Sequence, residues 1–129
     1  MTGVQPLLAL LGRILIAAVF LWAGHEKVTA FNGNVSYAAA AGMPFPQVAI
    51  VLGAIIELPG SILLILGYRV RLVAFIMAGF AIVTALIFHR NFGEFEEMNN
   101  FMKDLSIAGG LLQIVVFGGG AYSLDARRR

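Results

Sequence analysis

The sequence predicts an all-α membrane protein, an antiparallel bundle of four transmembrane helices. Of its 129 residues, 60% are hydrophobic and only 12% are charged, and the mean hydropathy is +0.88. Soluble domains contain about 25% charged residues, so this composition cannot supply a water-facing surface. Four apolar stretches each approach the roughly 20 residues that a helix needs to cross the hydrocarbon core of a bilayer. They are 7–24, 48–67, 72–88 and 105–123, and they form a single domain, 1–129.

The distribution of basic residues predicts the orientation of this bundle. With four spans, both termini and the turn at 67–71 lie on one side of the bilayer, and the connections 25–47 and 89–104 lie on the other. The first side carries Arg69, Arg71, Arg127, Arg128 and Arg129, whereas the second carries Lys27, Arg90 and Lys103. By the positive-inside rule, both termini are predicted in the cytoplasm.

The two outer connections are predicted to differ in structure. In the first, Asn34 is a suitable N-cap for a short helix over 35–41, and Gly42 suits the left-handed residue that ends it. The second, 89–104, is predicted as a loop whose phenylalanines, Phe92, Phe95 and Phe101, lie against the lipid headgroups.

Charged residues inside the apolar stretches are the first candidates for function. Arg13 interrupts the first stretch, and Glu57 stands at the middle of the second. Ionisable groups within a bilayer are costly and usually face the bundle interior with a partner. Since the two residues have opposite charges and similar predicted depths on antiparallel helices, the sequence predicts an Arg13–Glu57 ion pair, with Lys27 as the first alternative partner for Glu57. This pair could fix the register of the helices or serve as a proton or ligand site, and the two roles are compatible.

A second polar cluster is predicted at the outer ends of the helices. Lys27, His89 and Lys103 lie there at similar depth, and with Arg13 and Glu57 they make up the predicted polar core and ligand pocket. The apolar walls of this pocket are predicted from four aromatic residues, Phe20, Trp22, Phe75 and Phe88. A quinone headgroup needs donors for its carbonyls and an apolar slot for its ring, so the cluster suits a quinone. Anchoring at the membrane interface by Trp22, Lys27 and Arg90 explains the same residues equally well.

Other cofactors and partners are disfavoured by the composition. The chain has no cysteine, which excludes disulfides, thiolate-held iron–sulfur clusters and covalent c-type haem. His25 and His89 could in principle ligate a b-type haem, but histidines at a membrane edge are usually polar anchors, so no haem or metal site is predicted. The basic C-terminus is a topology signal and does not predict nucleic-acid binding.

Several motifs of the chain occur together in one known family. Arg13 is followed by Phe20-Leu21-Trp22-Ala23-Gly24-His25-Glu26-Lys27, which is similar to an opening signature of arginine, then Phe, Gly and Lys. Ala41-Gly42-Met43-Pro44 matches an AGxP loop, and Glu57-Leu58-Pro59-Gly60 resembles an E-L-x-G sequence in helix two. The turn at 67–71, Phe88-His89 and the segment 100–105 leading to Gly109-Gly110 fit the same pattern. In combination, these motifs resemble the DoxX family over nearly the whole chain. Pro59 departs from the family pattern and is predicted to kink helix two near Glu57.

The resemblance implies a bacterial inner-membrane protein with four spans. It also implies a membrane subunit of a quinone-linked redox system, or an assembly partner for one, with soluble or membrane-bound redox proteins as partners. Any catalysis would then be part of a quinone-coupled oxidoreductase, and the chain would not be a stand-alone enzyme. A small transporter or proton-conducting protein and a non-enzymatic interaction protein, with homo-oligomers allowed in each case, remain the alternatives, since a family does not fix a function.

Overall fold

The computed structural model of the protein describes residues 3–88 and 95–127 and contains no strand in those ranges. Its six helices are α1 (Val4–Thr29), α2 (Phe31–Ala40), α3 (Pro46–Leu66), α4 (Val70–Phe88), α5 (Phe95–Phe117) and α6 (Leu124–Arg127). Four of them, α1, α3, α4 and α5, contain segments long and apolar enough to cross a membrane. The predicted all-α bundle of four membrane-spanning helices is therefore confirmed.

Two helices extend well beyond the apolar stretches that predicted them. Helix α1 continues past Gly24 to Thr29, and α5 begins at Phe95 and ends at Phe117, not at the predicted 105 and 123. Hydropathy marks the part of a helix that lies in lipid, whereas polar turns at its ends remain helical in water or headgroups. At the other end of α5, Gly118 has a φ of 79°, a left-handed conformation that stops the helix. The predicted loop 89–104 is thus helical from Phe95 onwards, and residues 89–94 lie outside the described residues.

The short helix in the first connection is confirmed, but Asn34 does not cap it. Helix α2 begins three residues earlier than Asn34, and the Asn34 side-chain amide donates to the Ala30 carbonyl oxygen at 2.9 Å. Its end agrees with the prediction, because Gly42 has a φ of 86° and the Met43 amide donates back to the Ala38 carbonyl. Helix α3 then starts at Pro46, a residue well suited to a first helical position.

The bundle is built from two closely packed antiparallel pairs, α1 with α3 and α4 with α5, and α3 and α4 join the pairs. Small residues allow α1 and α3 to approach closely. A Cβ at Gly24 would lie 2.7 Å from Leu58 Cγ and 3.3 Å from Glu57 Cβ. Likewise, a Cβ at Gly67 would lie 2.8 Å from Arg13 Nη1. Glu57 is therefore level with Gly24, and Arg13 is level with the end of α3.

Candidate functional site

A buried ion pair joins α1 to α3. Lys27 Nζ lies 2.6 Å from Glu57 Oε1, and the Glu57 residue is only 3% exposed. Gly53, one turn before Glu57, makes room for the lysine stem, since a Cβ there would lie 3.0 Å from Lys27 Cε. A lysine near the end of a membrane helix often extends towards water, but here its stem runs along α3 to a buried carboxylate. The chain thus places a paired charge inside an apolar bundle, which in membrane proteins commonly marks a functional site.

A third charged residue acts on this pair from α5. The Asp104 carboxylate, which is half-buried, is close enough to Glu57 to repel its negative charge. The Lys27–Glu57 ion pair therefore connects α1 to α3, and its carboxylate also interacts electrostatically with α5. Lys103, which precedes Asp104 on α5, is exposed, because successive residues of a helix point about 100° apart.

The helix bearing Glu57 has a weakened backbone next to the carboxylate. Pro59 has no N–H, so the Ile55 carbonyl lacks its regular helical donor four residues on. The Ser61 hydroxyl donates to the Glu57 carbonyl oxygen, and such a bond within a helix turn tends to bend the helix. The predicted kink at Pro59 remains a prediction.

A groove opens beside the ion pair, between α1, α2 and α3. Its volume is about 460 Å³, and among its lining residues the charged one is Lys27. The other lining residues are apolar: Val28, Phe31, Ile50, Val51, Ala54, Ile55, Leu58 and Pro59. An apolar slot with one charged donor at its wall has the composition typical of a site for a lipophilic molecule with a polar head.

The structure brings together only part of the predicted ligand pocket. Lys27 and Glu57 meet, whereas His89 lies outside the described residues. The predicted aromatic walls are wrong for Trp22 and Phe75, which are 67% and 61% exposed on the outside of the bundle. Trp22 is two residues from the buried Phe20, a rotation of about 200° that turns it to the lipid-facing side. Within the described ranges, no cluster of three potential metal ligands is present.

The predicted Arg13–Glu57 ion pair is wrong. The Arg13 guanidinium is buried, and its Nη1 donates to the carbonyl oxygens of Leu64 and Ile65, at 2.8 Å each. Its Nη2 donates to the Tyr122 carbonyl oxygen. The last carbonyls of a helix have no intrahelical partner and carry partial negative charge. Arg13 therefore closes the C-terminal end of α3 and lies too far along the helix to reach Glu57.

A C-terminal clasp, residues 118–127, covers the same end of the bundle. Asp125 Oδ1 and Oδ2 accept hydrogen bonds from the backbone amides of Arg69 and Val70, at 2.7 and 2.8 Å. The Asp125 amide in turn donates to the Gly67 carbonyl at 3.0 Å. Asp125 thus acts as the N-cap of α4, although it lies more than fifty residues away in sequence. The three consecutive glycines at 118–120 are the sequence feature from which the end of α5 at Phe117, before the end of the apolar stretch 105–123, could have been predicted.

These features define an integral membrane protein with four spanning helices, a buried Lys–Glu pair and an adjacent apolar groove. Residues 8–90 match the model of the DoxX family. The chain belongs to the DoxX family. It is 38% identical to "Inner membrane protein YqjF" of Escherichia coli (strain K12) over 116 residues, which cover 90% of this chain and 88% of that protein. It is also 35% identical to "Inner membrane protein YphA" of the same organism over 128 residues, covering 95% and 91% of the two chains. No solved structure matches it significantly.

Proposed function

We propose that this DoxX protein is a membrane subunit of a quinone-linked redox system, or an assembly partner for one, and that the groove beside Lys27 receives the quinone headgroup. The observation that carries the proposal is the charged Lys27 at the wall of an otherwise apolar groove, held there by the buried Glu57. A quinone carbonyl accepts hydrogen bonds, and an ammonium group supplies donors. The apolar remainder of the groove suits the ring and the first part of an isoprenoid tail.

The position of the groove suits a ligand that arrives through the lipid. It is bordered by α2 and by the faces of α1 and α3, and a hydrophobic molecule dissolved in the bilayer would reach it sideways. A quinol hydroxyl, in contrast to a quinone carbonyl, also needs an acceptor. The Ile55 carbonyl, deprived of its regular donor by Pro59, is a candidate for that acceptor on the same groove.

The proposal includes a redox partner and a location. The chain has no cysteine and therefore no thiol redox group of its own, so electrons for the quinone would come from a partner protein or a bound cofactor. The names of the two E. coli relatives support an inner-membrane location. The basic residues at the end that holds both termini support a cytoplasmic position for that end.

Titration of the detergent-purified protein with a short-chain ubiquinone tests the site. Ala54→Phe fills the groove without touching a charge and should weaken quinone binding by about tenfold or more, whereas Ala18→Phe on an exposed face of α1 is the matched control. Lys27→Met should also weaken binding by about tenfold, the value of a hydrogen bond to a charged group. The double variant Lys27→Met/Glu57→Gln separates loss of the donor from loss of the ion pair. Unchanged quinone affinity in Ala54→Phe, Lys27→Met and His89→Ala would contradict the proposed location.

Proton conduction is a second candidate, favoured by the grouping of Lys27, Glu57 and Asp104 within the bundle. Protein reconstituted in vesicles under a pH gradient distinguishes the two functions. Proton flux that is lost in Glu57→Gln, without any quinone affinity, would favour conduction. A stable partner complex with neither property would favour an interaction protein.

A further inference from the structure

A basic cleft lies at the end of the bundle opposite the quinone groove. Its volume is about 800 Å³, and it lies between the start of α4 and the C-terminal clasp. Arg69 and Arg71 are among its lining residues, as are Leu72 and Phe117, which belong to the spanning helices α4 and α5. This basic cleft takes no part in the proposed quinone site.

The positive charge of the cleft comes from Arg69 and Arg71, and contacts with neighbouring residues position both side chains. The Arg69 guanidinium lies 5.8 Å from the centre of the Tyr68 ring, and a hydrogen bond with the Tyr68 side chain raises the pKa of Arg69 above its ordinary value. The Arg71 guanidinium lies along the turn at Gly118, where a Cβ would come within 3.3 Å of its Nε. The acid in the lining, Asp125, accepts hydrogen bonds from two backbone amides at the start of α4. Two arginines and one aspartate therefore line the cleft, which gives its lining a net positive charge.

The apolar border of the cleft adds a second requirement on its ligand. Leu72 and Phe117 are 55% and 74% exposed, and they lie at the ends of two spanning helices. A ligand that satisfies both parts of the cleft has an anionic head and hydrocarbon chains that run along the helices. Arginine binds phosphate oxygens with paired, parallel hydrogen bonds.

We infer that the basic cleft binds the phosphodiester headgroup of an anionic phospholipid, with the acyl chains lying against Leu72 and Phe117. Two guanidinium groups favour a lipid with a net negative charge over a zwitterionic lipid of the same chain length. Basic residues next to a membrane each contribute to binding of anionic lipid. The cleft then anchors this end of the bundle to an acidic leaflet.

Quenching of tryptophan fluorescence by brominated lipids in vesicles tests the inference. The chain has one tryptophan, Trp22, so the variant Trp22→Phe/Phe117→Trp carries its only tryptophan at the edge of the cleft. The native protein, with Trp22 on the lipid-facing side of α1, reports ordinary surrounding lipid. At position 117, we expect brominated phosphatidylglycerol to displace unlabelled phosphatidylcholine about fivefold better than brominated phosphatidylcholine does. At position 22, the two brominated lipids should displace it about equally.

Charge variants assign the preference to the cleft. Arg69→Gln/Arg71→Gln in the Phe117→Trp background should remove the preference for phosphatidylglycerol, whereas Arg127→Gln, at the same end but outside the cleft lining, should keep it. Equal binding of both lipids at position 117 would overturn the inference, and so would a preference that survives the double substitution. Displacement of phosphatidylglycerol by inorganic phosphate, but not by chloride at equal ionic strength, would assign the cleft to free phosphate and also overturn it. The comparison of the two lipids at position 117 does not use the charge variants. It therefore still decides the inference if the Arg69→Gln/Arg71→Gln protein does not fold.

Discussion

Lys27 Nζ lies 2.6 Å from Glu57 Oε1, in the region where Gly24 and Gly53 bring α1 and α3 together. Each charge offsets the unfavourable burial of the other. Such a pair need not add net stability compared with an apolar pair of the same size. Removing one member, however, leaves the other alone in a low-dielectric environment, so the pair fixes how α1 and α3 are aligned.

The first prediction is a large, non-additive loss of stability at this pair. Lys27→Met should lower the free energy of unfolding in detergent by about 3–5 kcal/mol, because Glu57 is left without its partner. Lys27→Met/Glu57→Gln should cost less than the sum of the two single changes. Glu26→Gln, the same kind of change at an exposed neighbour, should stay within about 0.5 kcal/mol of the parent. Additive single and double effects would show that the two charges do not interact.

The second prediction is that Arg13 and Glu57 are energetically independent. Arg13→Met should destabilise the protein by about 3 kcal/mol or more, because three carbonyl groups lose a charged donor. Arg13→Lys should recover part of this loss, since one ammonium cannot span all three oxygens. The Arg13→Met/Glu57→Gln protein should show additivity within about 0.5 kcal/mol in the same unfolding measurement. A coupling energy above about 1 kcal/mol would restore the ion pair that the sequence predicted.

Periodicity and hydropathy predicted which helix faces are buried. Steps of three and four residues in the sequence place Arg13, Ala17, Phe20, Gly24 and Lys27 on one face of α1. The first four are buried and Lys27 is half-buried. The relative height of the helices could not be predicted in the same way. Counted from the middle of the apolar stretch 7–24, Arg13 is predicted at the depth of Glu57. However, α1 continues to Thr29, and close packing at Gly24 sets Glu57 beside Gly24. Arg13 thereby meets the end of α3, and Lys27 becomes the partner of Glu57.

The C-terminal clasp could not be predicted from the sequence for a different reason. An N-cap is normally sought in the residue that precedes a helix, and Arg69 offers no side-chain acceptor. Asp125 fills this role across a long sequence separation, which no local pattern encodes. Lys27, which lines the apolar groove, was among the predicted site residues, but the groove itself depends on the packing of α2 against α3.

The third prediction concerns Gly67, at the turn between α3 and α4. Its φ is 75°, and a Cβ there would overlap the Ser123 side chain of the clasp. Gly67→Ala should therefore lower the free energy of unfolding by more than about 2 kcal/mol. Adding Ser123→Gly should recover only part of the loss, because Arg13 Nη1 at 2.8 Å, Ser123 Cα at 2.9 Å and the left-handed backbone at Gly67 remain. Gly33→Ala in α2, where nothing lies within 4 Å, is the control and should stabilise by up to about 1 kcal/mol. Equal effects at the two glycines would contradict the close contact at Gly67.

The fourth prediction concerns the orientation of the bundle. Because the chain has no cysteine, single cysteines report topology without a background signal. In intact cells, an impermeant thiol reagent should modify Gly33→Cys and Asn99→Cys from outside, and Ala121→Cys only after the cells are opened. All three positions are exposed in the fold, so lack of reaction reports the membrane side and not burial. The reversed pattern would place both termini outside and move the basic cleft to the outer leaflet.

The last prediction is that Asp125 holds the C-terminal clasp closed. Asp125→Ala removes the acceptor for the amides of Arg69 and Val70 and should destabilise the protein by about 1–2 kcal/mol, as loss of an N-cap does. Asp125→Asn should cost less, because the amide oxygen can still accept one of the two bonds. Local opening is measured separately through Ser123→Cys, a buried position within the clasp. Its thiol should react slowly in the parent and faster in the Asp125→Ala protein, while Arg127→Gln should leave the rate unchanged. A loss of stability without faster labelling would mean that Asp125 stabilises α4 alone and that the clasp is held by the Arg13–Tyr122 contact.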